Sequence, residues 1–275
     1  MSQAIDPQWV GDLLRICAER FILPRYLAVA ASAKPDGSIV TSADIDSQNF
    51  LQQMLAARYP EIPLVGEEMA AEEQAALLAD GRPVWCLDPL DGTSNFAAGV
   101  PIFGISLALL EVSGTRLAWI YDPVRRELFR AEKGRGAYCN GKPLHFRQAP
   151  ALRSAVGVVD YKRLSRSLAH RVMDEKPFHS QRNFGSCVLE WCWLAAGRYH
   201  FYLHGAQQLW DRAAGSLVLL EAGGICSTLD GQALPPQALT RISVLATLDP
   251  ALHGEWRQWL ETGGPSSKNR NNELS

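Results

Sequence analysis

The chain has 275 residues, 47% of them apolar and 20% charged, with a net charge of −2. That length holds one large domain or two modest ones with a substantial core. No block of like charge offers a footprint for nucleic acid or an anionic membrane, and the longest apolar stretch, around Pro101–Leu110, is too short to span a bilayer. The opening Met1-Ser2-Gln3-Ala4-Ile5-Asp6 lacks a basic segment followed by an apolar core, so no secretory signal is expected and a cytoplasmic location is. None of the six cysteines forms a CxxC pair, and they read as reduced, buried, small hydrophobes.

In chain order, residues 8–29 carry apolar side chains at helical spacing (Val10, Leu13, Leu14, Cys17, Phe21) until Pro24 interrupts them. Lys34-Pro35-Asp36-Gly37 signals a turn and Ser38–Thr41 a short strand. Asp44 can cap a helix whose face carries Phe50, Leu51, Met54 and Leu55 and which ends before Pro60. From residue 83 to about 147 short apolar or alternating runs (Ile102–Leu110, Thr115–Tyr121, Glu127–Ala131) predict a largely antiparallel sheet, with Asn140-Gly141 as a type I′ hairpin turn. After Pro150 the pattern alternates. Strands are predicted at Ser154–Val159, Phe178–Phe184, Tyr199–Leu203 and Ile242–Ala246. Helices are predicted at 162–174, Ser186–Ala196, Trp210–Glu221 and Ala251–Leu260, the third stopped by Gly223-Gly224. The expected division is 1–150 for helices plus antiparallel sheet, 151–262 for a smaller α/β layer, and a disordered tail at 263–275, too polar to bury anything.

The densest chemistry lies in Trp85-Cys86-Leu87-Asp88-Pro89-Leu90-Asp91-Gly92-Thr93-Ser94-Asn95-Phe96. Val84–Leu87 reads as a buried strand that delivers two aspartates, three positions apart, into a turn shaped by Pro89 and Gly92. Thr93 and Ser94 follow where a helix can open with unpaired N–H groups. Acceptor-only carboxylates beside N–H donors suit hard cations and an anion together. Two further segments supply acids: Val65-Gly66-Glu67-Glu68, and Asp211 at the start of Asp211-Arg212-Ala213-Ala214-Gly215. Singly, Glu67 reads as solvated loop and Asp211 as a helix cap; the motif around Asp88 constrains five positions at once and resists a purely structural reading.

These segments, with weaker similarity over Lys34–Asp44 and Gly134–Gly141, resemble the inositol monophosphatase family of magnesium-dependent, lithium-sensitive phosphate monoesterases, in the family's order and across nearly the whole chain. The resemblance implies an α/β fold of the sugar-phosphatase type, layered α/β/α/β/α, with two or three Mg²⁺ ions as cofactors and a small phosphorylated alcohol, inositol-1-phosphate-like, as substrate. Carried over residue by residue, Glu67, Asp88 and the carbonyl of Leu90 would hold one ion, and Asp88, Asp91 and Asp211 a second. Glu67 would also orient waters on a third ion. Thr93 with Glu67 would position the attacking water, Asp44 would support Thr93, and the N–H groups of Gly92 and Thr93 would receive phosphate oxygens. A homodimer is expected, with neither nucleic acid nor membrane as partner.

Gly185, Ser186 and Cys187 fall where the family contacts substrate, and Asp211 would share in that contact. Seven residues before Asp211, where many inositol phosphatases carry an acid for substrate hydroxyls, this chain has His204. A neutral imidazole has one donor and one acceptor, so it cannot accept two hydroxyl hydrogen bonds; the plainer reading is a loop histidine near the surface. Phosphatases of the haloacid dehalogenase type place their two aspartates two apart, which excludes them here. Relatives acting on 3′-phosphonucleotides, fructose bisphosphate or histidinol phosphate remain alternatives, as does a regulatory binding protein that keeps the fold.

Overall fold

The computed structural model describes residues 4–28, 32–33 and 39–262. The turn expected at 34–37 and the tail at 263–275 lie outside the described residues.

Helix α1 (Pro7–Cys17) is capped by Asp6, whose carboxylate accepts from the N–H groups of Gln8 and Trp9, and it buries Val10, Leu13, Leu14 and Cys17. It continues through a π-helical turn, Ala18–Ile22, into a 3₁₀ turn, Leu23–Arg25, that contains Pro24. Strands β1 (Ser32–Ala33) and β2 (Ile39–Val40) pair antiparallel. Helix α2 (Ser42–Arg58) follows. Its cap is Thr41, not Asp44: Asp44 is the third helical residue and closes a capping box by accepting from the Thr41 N–H at 2.8 Å. Strand β3 (Leu64–Gly66) and helix α3 (Ala71–Ala79) come next; α3 was not anticipated, and only Gln74 of it is buried. With one buried residue in nine it presents no apolar stripe to read.

Strand β4 (Val84–Asp91) is buried along its whole length. It runs beyond the predicted turn at Pro89, and its register against β5 (Gly104–Glu111) shifts between Asp88 and Asp91. A proline has no N–H for the ladder, so a bulge is where a strand tolerates one. Helix α4 (Thr93–Ala98) starts directly after Gly92. Strands β6 (Gly114–Asp122), β7 (Glu127–Glu132), β8 (Ala137–Cys139) and β9 (Lys142–Pro143) complete a seven-stranded sheet in chain order, in which only β3 and β4 run parallel. Asn140 and Gly141 both have positive φ, 48° and 76°, as the predicted type I′ turn requires.

The second sheet holds β10 (Val156–Asp160), β11 (Ser180–Arg182), β12 (Phe201–Gln207), β13 (Ile225–Ser227) and β14 (Ile242–Thr247), in the order β11-β10-β12-β14-β13. Helix α5 (Arg166–Glu175) begins later than the predicted residue 162 because Ser165 caps it, accepting from Leu168 N–H at 3.3 Å. Helices α6 (Cys187–Ala195), α7 (Leu209–Glu221) and α8 (Pro250–Thr262) match their predicted segments. The three-residue β13 carries too short a pattern to have been read.

Alternation along β4 shows how the layers form. Trp85 and Leu87 enter a core shared with α1 and α2, while Val84 and Cys86 enter one shared with α6 and α7. Tyr202, Val244 and Ala246 of the second sheet close that central core from the other side, and Phe201, Leu203 and Leu245 face a third core with Val172 and Trp256. The order is therefore α1–α2, sheet, α6–α7, sheet, α5–α8, the expected α/β/α/β/α stack. Asp88 continues the Val84–Cys86 side of β4, toward α7.

Candidate active site

Asp88 is 1% exposed and sits opposite Ser106, whose hydroxyl donates to the carbonyl of Trp210, the residue before Asp211. Its Oδ1 accepts from Leu90 N–H at 3.1 Å, so the proline bulge folds back on the carboxylate. Gly92 has φ +86°, and a Cβ there would meet the Ile102 carbonyl at 2.8 Å; only glycine turns the chain into α4 this close to β5. No side chain among the described residues caps α4, and Gly92, Thr93 and Ser94 at its start line the cavity.

Glu67 follows β3, its N–H bound to the Leu87 carbonyl at 3.2 Å, and it is only half-buried. Gln48 of α2 accepts from Glu68 N–H, and Gln74 of α3 donates to the Gly66 carbonyl, so two helices brace this turn. Asp91 accepts from Val188 N–H at 3.1 Å and from the Ser186 hydroxyl at the start of α6. Asp211 is the third residue of α7 and not its cap: like Asp44 it closes a capping box, accepting from the N–H of the cap residue Gln208 at 2.8 Å, and it also faces the cavity. Carboxylate oxygens of Asp91 and Asp211 and the Cys187 sulfur lie within 4.8 Å of one another.

The Thr93 hydroxyl is 2.9 Å from both the Asp44 Oδ1 and the Leu90 carbonyl. Asp44 Oδ2 in turn accepts from the Thr41 N–H and hydroxyl. All of Glu67, Asp88, Leu90, Asp91, Gly92, Thr93, Gly185, Cys187, His204 and Asp211 line one cavity of about 400 Å³, the size of a small-molecule site. Asp44 and Ser186 stand behind it, each acting through a residue that lines it.

Burial and like charge dominate the electrostatics of this cavity. Burial first, then the charges of Glu67, Asp91 and Asp211, push the Asp88 carboxyl well above its ordinary range. Burial and Asp211 do the same to Asp91, against the opposing hydrogen bonds from Ser186 and Val188. Asp211 and Asp44 are raised by burial, opposed by their hydrogen bonds.

His204 corrects its plainer reading. It is not a surface loop residue but lies in β12, 3% exposed, in register with Asp160 of β10. The predicted strand at Ser154–Val159 stopped one residue short of Asp160, which hid this pair. Glu190 was also missed: it is buried on α6, and its Oε1 accepts from the N–H groups of Phe184 and Gly185, fixing the loop that carries Gly185. The signal for it was an acid among the apolar residues of Ser186–Ala196.

The sequence model of the inositol monophosphatase family matches residues 12–262. The chain belongs to that family. It is 34% identical to inositol monophosphatase 1 of Solanum lycopersicum over 68% of this chain and 71% of that protein. It is 33% identical to the Nus factor SuhB of Escherichia coli (strain K12), covering 74% of this chain and 77% of that one. Among solved structures, an IMPase/NADP phosphatase complexed with Mg²⁺ and phosphate superimposes with a TM-score of 0.80 at 25% identity, over 96% of this chain and 99% of the other.

Proposed function

We propose that this chain is a Mg²⁺-dependent phosphomonoesterase that releases phosphate from a small phosphorylated alcohol, inositol-1-phosphate-like, without a covalent intermediate. One observation carries the reading: Glu67, Asp88, Asp91 and Asp211 line a single cavity beside the uncapped start of α4. Like charges that raise one another's pKa are unfavourable unless a cation joins them, and an all-oxygen donor set suits Mg²⁺. Glu67, Asp88 and the Leu90 carbonyl would hold one ion, and Asp88, Asp91 and Asp211 the second. The Leu90 oxygen lies 2.9 Å from the Thr93 hydroxyl, whose one hydrogen goes to Asp44, so the carbonyl keeps its lone pairs for this. Bound there, Mg²⁺ would neutralise the phosphate and make water a nucleophile near neutral pH.

The chain's own groups do the rest. The N–H groups of Gly92 and Thr93 receive phosphate oxygens at the positive start of α4. Asp44 holds the Thr93 hydroxyl hydrogen, which turns the oxygen lone pairs toward a water and aligns it for attack. Glu67, half-buried at the cavity edge, takes a hydrogen from the same water. No cysteine, serine or histidine nucleophile is needed: Ser186 is bound to Asp91, and burial raises the Cys187 thiol well above its ordinary range.

The similarity to a Nus factor keeps a regulatory reading in view, but a protein that acts only through a partner has no use for a buried carboxylate cluster. Phosphate release from inositol-1-phosphate, a 3′-phosphonucleotide, fructose bisphosphate and histidinol phosphate, with Mg²⁺ and with chelator, separates the two. Mg²⁺-dependent release from at least one ester is expected. Release from none at saturating Mg²⁺ would favour the regulatory reading.

A further inference from the structure

Helix α3 is docked by a polar side chain. Leu77 and Leu78 are only half-buried, and the one fully buried residue of the helix is Gln74, 6% exposed. Its Nε2 donates to the Gly66 carbonyl at 2.8 Å. A surface helix ordinarily holds its place with an apolar stripe. Here a buried hydrogen bond takes that part, and its acceptor is the residue immediately before Glu67.

The turn that carries Glu67 is closed on itself and gripped from two sides. The Gly66 carbonyl also accepts from Met69 N–H at 3.3 Å, and the Met69 sulfur accepts from Gly66 N–H at 3.2 Å. From α2, Gln48 Oε1 accepts from Glu68 N–H at 3.2 Å; a Cβ on Gly66 would fall 2.4 Å from that oxygen, so Gln48 reaches the turn only past a glycine. Glu67 thus lies between two buried glutamines on different helices. Helix α2 buries Leu51 and Leu55 and needs no help from Gln48 to stay in place. Helix α3 has no comparable anchor, so Gln74 and the Glu67 turn hold each other.

We propose that Gln74 is a positioning residue: by docking α3 on the Gly66 carbonyl it fixes the turn that presents Glu67, so that binding of the ion at Glu67 and seating of α3 are one event. The inference rests on the phosphomonoesterase reading and deepens it. A ligand that binds only the seated turn shifts α3 toward its seat, and whatever loosens the seat weakens that ion by the same factor. Met69, Ala71 and Gln74 line the cavity beside Glu67, so seating also completes that wall. The ion placed on Asp91 and Asp211 has no such dependence. Those two acids are held by Ser186, Val188 and Gln208, far from α3 in the chain.

The test compares wild-type protein with Gln74→Met, which keeps the length of the side chain and removes its donor, and with Leu78→Ala, which trims the apolar contact of α3 and leaves the hydrogen bond. Mn²⁺ binding is followed by calorimetry and electron paramagnetic resonance in the presence of inorganic phosphate. Gln74→Met should weaken one of two ions about tenfold or more and leave the other unchanged, the loss typical of a residue that orients a metal ligand; Leu78→Ala should change neither. A glutamate-specific protease reads the seating itself at the exposed Glu72 and Glu73. Mn²⁺ with phosphate should protect them in wild type and fail to do so in Gln74→Met at the same ion concentration. Unchanged affinities in Gln74→Met, equal weakening of both ions, or the same selective loss in Leu78→Ala would overturn the proposal. Selective loss of one ion in a protein that hydrolyses no ester would uphold the positioning role and overturn the phosphomonoesterase reading, which separates the two failures.

Discussion

Asp88→Asn should abolish Mg²⁺-dependent phosphate release while leaving the protein folded, and in the absence of metal it should make the protein more stable. The amide keeps the shape and can still accept from Leu90 N–H, which the carboxylate does at 3.1 Å, but it removes the charge proposed to join two cations. Metal assistance is worth several kcal/mol, so the loss in kcat/KM should be on the order of 10³-fold or more. The stability gain follows from the raised pKa of the native carboxyl. A carboxyl raised in the folded state binds its proton more tightly than in the unfolded chain, so metal-free stability falls as pH rises above the ordinary carboxylate range. Asp88→Asn removes part of that fall. Turnover assays with thermal unfolding at pH 5 and pH 8 would check both halves. Near-normal turnover in saturating Mg²⁺ would show that Asp88 bridges nothing.

Thr93→Ala should lower kcat by on the order of 10²–10⁴-fold with little change in KM. The hydroxyl is placed to align water and not to bind the ester, so its interaction counts most in the transition state. Asp44 keeps the Thr41 N–H and hydroxyl as partners when Thr93 is truncated, which confines the damage to the missing oxygen. Thr93→Ser should restore most of the rate. Steady-state kinetics on the three proteins checks this, and unchanged kcat with a raised KM would reassign Thr93 to phosphate binding.

The features legible in the sequence are those set by local chemistry. The Asp88–Phe96 segment announced itself because Pro89 and Gly92 each demand a particular backbone, and the structure gives them a strand bulge and a φ of +86°. Helix α7 was readable from Gly223, whose N–H binds the Leu220 carbonyl at the helix end. The side of the cavity built by the second sheet was not legible, because it depends on register between strands distant in the chain. Nothing near Asp160 or His204 in sequence says that β10 and β12 pair with these two residues side by side. Asp44 shows an intermediate case, where the helix start was found but the cap was displaced by three residues to Thr41.

The central claim is that the carboxylate cluster is a metal centre for phosphate. It is tested most directly by crystals soaked with Mn²⁺ in place of Mg²⁺ and with inorganic phosphate, read by anomalous scattering. The account predicts Mn²⁺ peaks on both sides of Asp88, one shared with Glu67 and the Leu90 carbonyl and one with Asp91 and Asp211, and phosphate against the N–H groups of Gly92 and Thr93. Phosphate elsewhere, with no anomalous peak in contact with Asp88 at saturating Mn²⁺, would contradict it.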